Sequence, residues 1–178
     1  MNPNYLSTMM IKPRFLNALI FIACASLLGF GYYLQFHEGL DPCPLCIFQR
    51  ACFLGVGLTA LIAAIHNPAQ LGIRIYGTLT TLIALGGGIF AGRQVWLQHL
   101  PKSEVPECGP GLEYWVKTLP IAETIKRVFR GTGDCAEVDW TFLSLSIAEW
   151  SLICFALFFL AALWFLVLRP ATSHEKPS

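Results

Sequence analysis

Charged side chains are scarce in this chain. Only 13% of its 178 residues are Asp, Glu, Lys or Arg, whereas 55% are hydrophobic and the mean hydropathy is +0.58. Soluble domains average about 25% charged and about 45–50% apolar residues, so this composition excludes a soluble globular protein. The 12 basic and 11 acidic residues leave a net charge of +1. A field that weak does not hold a nucleic acid.

The chain has four long apolar runs instead. They cover residues 15–34, 46–65, 75–92 and 150–168, and each is close to the ~20 residues that a helix needs to cross a bilayer. Lipid offers no hydrogen-bond partners to an open backbone, so each run is expected to be helical. Too little polar sequence remains to cover four such helices in water. The sequence therefore predicts an all-α membrane protein with a bundle of four transmembrane helices.

The charges that flank the first run favour one orientation. Lys12 and Arg14 precede it, and residues 35–45 after it contain no Lys or Arg. The positive-inside rule then makes residues 1–14 and 169–178 cytoplasmic tails, with loops 35–45 and 98–142 on the other side. The second loop carries five basic residues of its own, but the rule is weak for long loops. We expect no cleavage of the first run as a signal peptide, because it continues past the small residues that imitate a cleavage site.

The second loop, residues 98–142, is too long to be a simple connection, and loops of that length are usually functional. Apolar residues between Leu112 and Phe129 recur near helical spacing, and Pro120 must break or kink the run. We predict a short amphipathic helix that lies on the membrane surface. A solvated loop with chance periodicity is the alternative for so short a stretch.

A C-x-x-C pair, Cys43 and Cys46, stands where the first loop meets the second span. A thiol near a helix N-terminus has a lowered pKa, which populates the nucleophilic thiolate. The spacing also lets the two sulfurs form a reducible disulfide. The pair therefore indicates thiol–disulfide chemistry, and half of a zinc site is the competing interpretation.

The other cysteines carry weaker signals. Cys108 and Cys135 share the second loop without a C-x-x-C spacing, and a static structural disulfide between them is the alternative to a redox role. A zinc site built from the four loop cysteines lacks the usual histidine pair, so no metal site is predicted. Cys24, Cys52 and Cys154 fall inside spans, where cysteine is usually a small apolar filler.

Arg50 is the fourth residue after Cys46, so on a helix it lies one turn deeper on the same face, ~6 Å along the axis. An arginine at a membrane boundary either snorkels towards water or has a function. A fixed cation there would stabilise a thiolate and also the reduced form of an electron acceptor in the lipid.

Together these segments resemble the disulfide-bond formation protein B (DsbB) family of bacterial inner membranes. The resemblance covers nearly the whole chain. It rests on the four spans, on C-P-L-C-I-F-Q-R at the head of the second span, on W-L-Q-H-L-P before Cys108, and on the block from Gly133 to Trp150.

The resemblance implies roles for the loop cysteines. Cys43 and Cys46 would be the pair next to the quinone, and Arg50 would lie beside it. Cys108 and Cys135 would be the pair that meets DsbA, a soluble thiol oxidase. The implied location is the inner membrane, with both termini cytoplasmic and both redox loops periplasmic.

The function that the resemblance implies is re-oxidation of a DsbA-like partner by disulfide exchange. The electrons would pass from the second-loop pair to the first-loop pair and then to ubiquinone or a menaquinone in the membrane lipid. Gln94 and Gln98, near the end of the third span, could hydrogen-bond a quinone carbonyl, although polar residues there are often merely interfacial.

Two other functions use similar features. A quinone reductase like the vitamin K epoxide reductases also has a C-x-x-C in a small helical bundle but moves electrons in the opposite direction, and the loop sequences argue against it. A four-span membrane adaptor would carry the loop cysteines as static disulfides and would show no turnover.

Overall fold

Four long helices and a folded second loop make up the protein. The computed structural model describes residues 13–109 and 112–168. The elements in order are α1 (Pro13–His37), α2 (Pro44–His66), α3 (Gln70–Gln98), α4 (Leu112–Thr118), α5 (Ile121–Arg130), α6 (Gly133–Ala136), β1 (Thr141–Phe142), β2 (Leu145–Ser146) and α7 (Ile147–Leu168). The predicted tails lie outside the described residues, except that Pro13 and Arg14 belong to α1.

Helices α1, α2, α3 and α7 are each long and apolar enough to span a membrane. Each contains one of the predicted apolar runs and extends beyond it at one or both ends. Large apolar side chains such as Ile22, Leu58, Leu82 and Leu157 are exposed on their outer faces. A soluble monomer rarely exposes so much apolar surface, whereas lipid accepts it. The predicted fold class, an all-α protein with four membrane-spanning helices, is confirmed.

The bundle is built around α3, which packs against α2 and α7, while α1 packs against α2. Its buried core includes Phe53 of α2 and Phe155 of α7, whose rings stack with their centroids 4.1 Å apart. A β-carbon at Gly87 of α3 would overlap the Phe155 ring. A glycine at this position therefore lets α3 and α7 approach closely.

The second loop folds back onto one end of the bundle. The residues with helical spacing form two helices, α4 and α5, separated at Pro120, because a proline lacks the backbone N–H that would continue the first helix. Trp115 of α4 and Val128 of α5 are buried in a second core cluster with Leu45 and Leu97. Attachment of these helices to a membrane surface stays a prediction.

A tight antiparallel hairpin leads into the last helix. Thr141 pairs with Ser146 across it, and the two turn residues, Leu143 and Ser144, have φ of 50° and 65°, as a two-residue hairpin turn requires. The Ser146 N–H donates to the Glu149 carboxylate at 2.7 Å, and the Glu149 N–H donates to Ser146 Oγ at 3.2 Å. This reciprocal capping box fixes where α7 begins.

Candidate functional site

Cys43 and Cys46 lie at the first turn of α2. Cys43 is the N-cap residue, and its Sγ accepts a hydrogen bond from the Cys46 N–H at 3.3 Å. Pro44 occupies the first helical position, where a missing N–H leaves no bond unmade. The two Sγ atoms lie 2.7 Å apart. Local geometry therefore brings this pair together, as the C-x-x-C spacing predicts.

Cys135 comes from the second loop to meet Cys43. It lies in α6, is fully buried, and shares the cluster of Leu45 and Leu97 with Cys43. A hydrogen bond from the Cys43 thiol lowers the pKa of Cys135 from its usual 9.0 to about 6, and the backbone N–H of Leu45 acts in the same direction. The same bond raises the pKa of Cys43. Cys135 is therefore the more acidic thiol of these two.

Cys108 has a different environment. It is exposed, and it lies against the start of α6, where a β-carbon on Gly133 would come within 2.7 Å of its Sγ. A hydrogen bond with the Asp134 carboxylate raises the pKa of the Cys108 thiol. All seven cysteines lie in the described ranges, and each is a free thiol in the structure. The pairing of Cys108 with Cys135 stays a prediction.

Arg50 lies one turn beyond Cys46 and reaches across to α1. It donates hydrogen bonds to Gln35 Oε1 and, at 3.0 Å, to the carbonyl oxygen of Gly31, and its guanidinium carbon is 5.1 Å from the centre of the Tyr32 ring. Among residues 13–109 and 112–168, no carboxylate forms an ion pair with Arg50. The guanidinium is therefore held in place by neutral acceptors and an aromatic ring, without an ion pair.

Two glutamines meet beside the cysteine pair. Gln94 Nε2 lies 3.2 Å from Cys46 Sγ and 3.5 Å from Cys43 Sγ, and Gln49 Nε2 donates to Gln94 Oε1 at 2.6 Å. Both amides are buried. Gln94 thus contacts the sulfurs, a role that the sequence did not predict. No role was predicted for Gln49 either, although its place three residues after Cys46 puts it near the same helix face.

Gln98 has a separate position. Its Oε1 accepts a hydrogen bond from Ser146 Oγ at 2.8 Å, next to the start of α7. Gln98, the third predicted cofactor ligand, is therefore anchored to the hairpin that precedes α7, and it makes no hydrogen bond to a described sulfur.

A cavity of about 530 Å³ opens beside these groups, within the range of ~300–1,000 Å³ that is usual for ligand pockets. Cys46, Arg50, Gln94 and Gln98 line its polar part. Apolar side chains from α1, α2 and α7 make up most of the rest, including Leu27, Leu28, Leu34, Phe53 and Trp150. Four carboxylates from the two loops also line the cavity: Asp41, Asp134, Glu137 and Asp139.

The cavity lies between α1 and α7. Among the described residues these two helices make few contacts with each other, so the bundle is open along this side. The ring of Phe30 meets the ring of Trp140 edge-on, with centroids 5.3 Å apart, and both residues line the cavity. This contact joins α1 to the second loop across the gap.

These features define a multi-pass membrane protein with three cysteine thiols gathered beside an apolar cavity and a fourth exposed nearby. A family model described as "Disulfide bond formation protein DsbB" matches residues 13–165. The protein named "Disulfide bond formation protein B" of Methylococcus capsulatus is 58% identical over 135 residues, which is 76% of this chain and 82% of the relative. That of Azoarcus sp. is 51% identical over 155 residues, 87% of this chain and 92% of the relative.

A third relative, "Disulfide bond formation protein B 1" of Pseudomonas aeruginosa, is 49% identical over 144 residues, 81% of this chain and 88% of the relative. The chain therefore belongs to the DsbB family of disulfide bond formation proteins. The family identification made from the sequence motifs is confirmed.

Proposed function

We propose that this protein re-oxidises a DsbA-like thiol oxidase in the periplasm and passes the electrons to a quinone in the bacterial inner membrane. Membership of the DsbB family supports a role in disulfide formation. The observation that carries the finer proposal is the contact of Cys135, from the second loop, with Cys43, beside a cavity that Arg50 lines.

The first exchange would take place at Cys108. A thiolate of the reduced partner attacks Cys108 Sγ of a Cys108–Cys135 disulfide, and Cys135 leaves as the thiolate. Exposure of Cys108 and burial of Cys135 favour this direction of attack. Backbone hydrogen bonds of Thr132 and Leu45 also lower the pKa of Cys135, which favours its departure, because a thiol of lower pKa leaves faster. The partner's second thiolate then attacks the mixed disulfide, which releases Cys108 and an oxidised partner.

The second exchange would take place at Cys43. The Cys135 thiolate attacks Cys43 Sγ of a Cys43–Cys46 disulfide, and Cys46 leaves as a thiolate beside the Gln94 amide at 3.2 Å. Attack of Cys108 on Cys135 then restores the second-loop disulfide and frees Cys43. Two electrons and two protons now reside on the first-loop pair, and the second-loop pair can meet another partner.

The residues around the cavity fit a quinone. Apolar side chains suit an isoprenoid chain, the opening between α1 and α7 suits entry from lipid, and Gln98 could donate a hydrogen bond to a carbonyl oxygen. The positive charge of Arg50, which forms no ion pair in the described residues, would stabilise negative charge that develops on that oxygen. A bound quinone would supply the two-electron sink through which the Cys43–Cys46 disulfide is formed again. Such a sink is needed, because a DsbA-type partner is itself a strong oxidant at about −120 mV.

The test uses purified protein with a reduced DsbA-like substrate and a soluble quinone. We expect quinone-dependent thiol oxidation, and we expect Cys43→Ala to abolish it. Cys52→Ala is the matched control, because Cys52 lies on the same helix outside the cavity lining. Unchanged turnover in Cys43→Ala would refute the mechanism, and absence of any turnover in the parent protein would support a structural adaptor.

A further inference from the structure

Arg93 joins the membrane-spanning bundle to the second loop. Its Nε donates to the carbonyl oxygen of Phe129 at 2.9 Å, and its Nη2 donates to that of Arg130 at 3.0 Å. Phe129 and Arg130 are the last two residues of α5. Carbonyls at a helix C-terminus lack intrahelical partners and carry partial negative charge. The forked guanidinium of Arg93 therefore binds the end of α5 from α3.

The chain turns tightly at the next residue. Gly131 has a φ of 80°, and a β-carbon on it would overlap the side chain of Leu97. Leu97 follows Arg93 by one helical turn, so the two lie on one face of α3. One face of α3 thus makes a polar contact with the end of α5 and an apolar contact with the turn that follows it.

That turn leads directly to the buried thiol. Thr132 connects Gly131 to α6, and the Cys135 N–H donates to the Thr132 carbonyl oxygen at 3.0 Å. Cys135 is then buried against Cys43. Only a short, hydrogen-bonded stretch separates the residues that Arg93 holds from the sulfur that must reach Cys43.

We propose that Arg93 is a positioning residue that holds the turn between α5 and α6 on α3, and so holds Cys135 on Cys43. This inference rests on the proposed function, in which Cys135 bonds in turn to Cys108 and to Cys43. The contact raises the effective concentration of Cys135 at Cys43. It thereby favours attack of Cys135 on Cys43, which transfers the disulfide from the first loop to the second, over movement of Cys135 away from Cys43 into solvent.

An interfacial arginine has a simpler explanation to exclude. The Arg93 guanidinium lies 4.1 Å from the centre of the Trp96 ring, and a cation beside a tryptophan is common at membrane interfaces. Lysine separates the two explanations, since it keeps the charge and can snorkel but cannot donate to two carbonyls through a planar fork.

The experiment measures how readily Cys43 and Cys135 form a disulfide. A variant with Cys46→Ala and Cys108→Ala is equilibrated in mixtures of reduced and oxidised glutathione. Each Cys43–Cys135 bond that forms consumes one glutathione disulfide and yields two glutathione thiols. The fraction that is linked is read by mass spectrometry after alkylation of the remaining thiols.

We expect Arg93→Gln to lower this equilibrium constant about five- to thirtyfold, through the loss of two charge-assisted hydrogen bonds, and Arg93→Lys to restore it only in part. Arg74→Gln, on the same helix near its other end, is the matched control and should leave it unchanged. Gly131→Ala, which forces the turn away from Leu97, should lower it as Arg93→Gln does and provides a second variant if the first does not fold.

Three results would overturn the proposal. The first is an equilibrium constant in Arg93→Gln within twofold of that of the parent. The second is full restoration by Arg93→Lys, which would mean that charge at the interface suffices. The third is an equal fall for the Cys43–Cys46 disulfide, measured with Cys108→Ala and Cys135→Ala, which would mean general loss of structure. Because no quinone or protein partner is present, a negative result here beside normal quinone-dependent turnover refutes the role of Arg93 alone.

Discussion

Gln49 donates a hydrogen bond from Nε2 to Oε1 of Gln94 at 2.6 Å, and this bond orients the second amide. Gln94 then presents its NH₂ group to the sulfurs of Cys43 and Cys46, and its Oε1 also lies 3.5 Å from Cys46 Sγ. An amide donor stabilises a thiolate more than a thiol, because hydrogen bonds to charged groups are stronger. The two glutamines therefore stabilise negative charge on the sulfurs of the first-loop cysteines.

Replacing Gln94 by Leu should slow the exchange that expels Cys46. A hydrogen bond to a charged group contributes about 1.5–3 kcal/mol, so the rate of transfer from Cys135 to the first-loop disulfide should fall about 10- to 100-fold. Quenched-flow alkylation without quinone measures this step. Gln98→Leu is the control, because Gln98 bonds to Ser146 instead; an equal loss in both variants would count against a specific effect on sulfur.

The ionisation of Cys135 should depend on Cys43. The hydrogen bond from Cys43 lowers the pKa of Cys135 to about 6, so in the reduced protein Cys135 is mostly thiolate at pH 7 and becomes protonated as the pH falls through 6. In Cys43→Ala the midpoint should rise towards 9.0. Thiolate absorbance near 240 nm, compared with that of Cys135→Ala, measures the midpoint. A midpoint that stays at about 6 without Cys43 would contradict the assignment.

Loss of the charge at Arg50 should impair quinone reduction and spare exchange among the cysteines. Removing one group that stabilises developing negative charge typically lowers kcat by about 10²-fold, and we expect a fall of this order for Arg50→Met with a soluble quinone. Arg50→Lys should recover part of it, since it keeps the charge but not the bonds to Gln35 and Gly31. Arg74→Met, outside the cavity lining, serves as the control.

The packing of α3 on α7 should tolerate alanine at one glycine and not at its neighbour. Gly87→Ala would overlap Phe155, and overpacking of this kind costs about 1–3 kcal/mol. Gly86→Ala meets no atom within 4 Å and should be neutral or slightly stabilising. Thermal unfolding in detergent compares the two variants, and equal midpoints would show that the helices can separate at little cost.

The proposed orientation predicts which thiols an impermeant reagent reaches in intact cells. Cys108, which is exposed, should react from the periplasmic side once the protein is reduced. A cysteine introduced by Ser178→Cys should react only after the inner membrane is permeabilised. Labelling of the two in the reverse order would place the redox loops in the cytosol and exclude a periplasmic partner.

Local and periodic features were predictable from the sequence. The four apolar runs predicted the membrane-spanning helices, because lipid permits only a helical backbone within the bilayer. The C-x-x-C motif at a helix start predicted where the first cysteine pair lies. The position of Arg50, one helical turn beyond Cys46, followed from the four-residue spacing between them. In each case the property depends on residues close together in the chain, so the sequence carries it directly.

Contacts between distant segments were not predictable in this way. The contact of Cys135 with Cys43 depends on how α5 and α6 pack on α2 and α3. The spacing of residues along the sequence does not predict that packing. The bond of Gln49 to Gln94 joins two helices whose register comes from tertiary contacts. Gln94 was assigned to a quinone carbonyl on its place near a span's end, and only the helix packing shows that its amide lies on the sulfurs.

The ring contact between Phe30 and Trp140 joins α1 to the second loop beside the cavity, and the gap between α1 and α7 stays open. A lipophilic acceptor would then travel sideways within the bilayer plane and would never need to cross an aqueous layer. The rate at which the acceptor reaches the cavity would depend on its abundance per unit area of membrane. Depleting the acceptor in the membrane would therefore limit turnover even when soluble thiol substrate is plentiful.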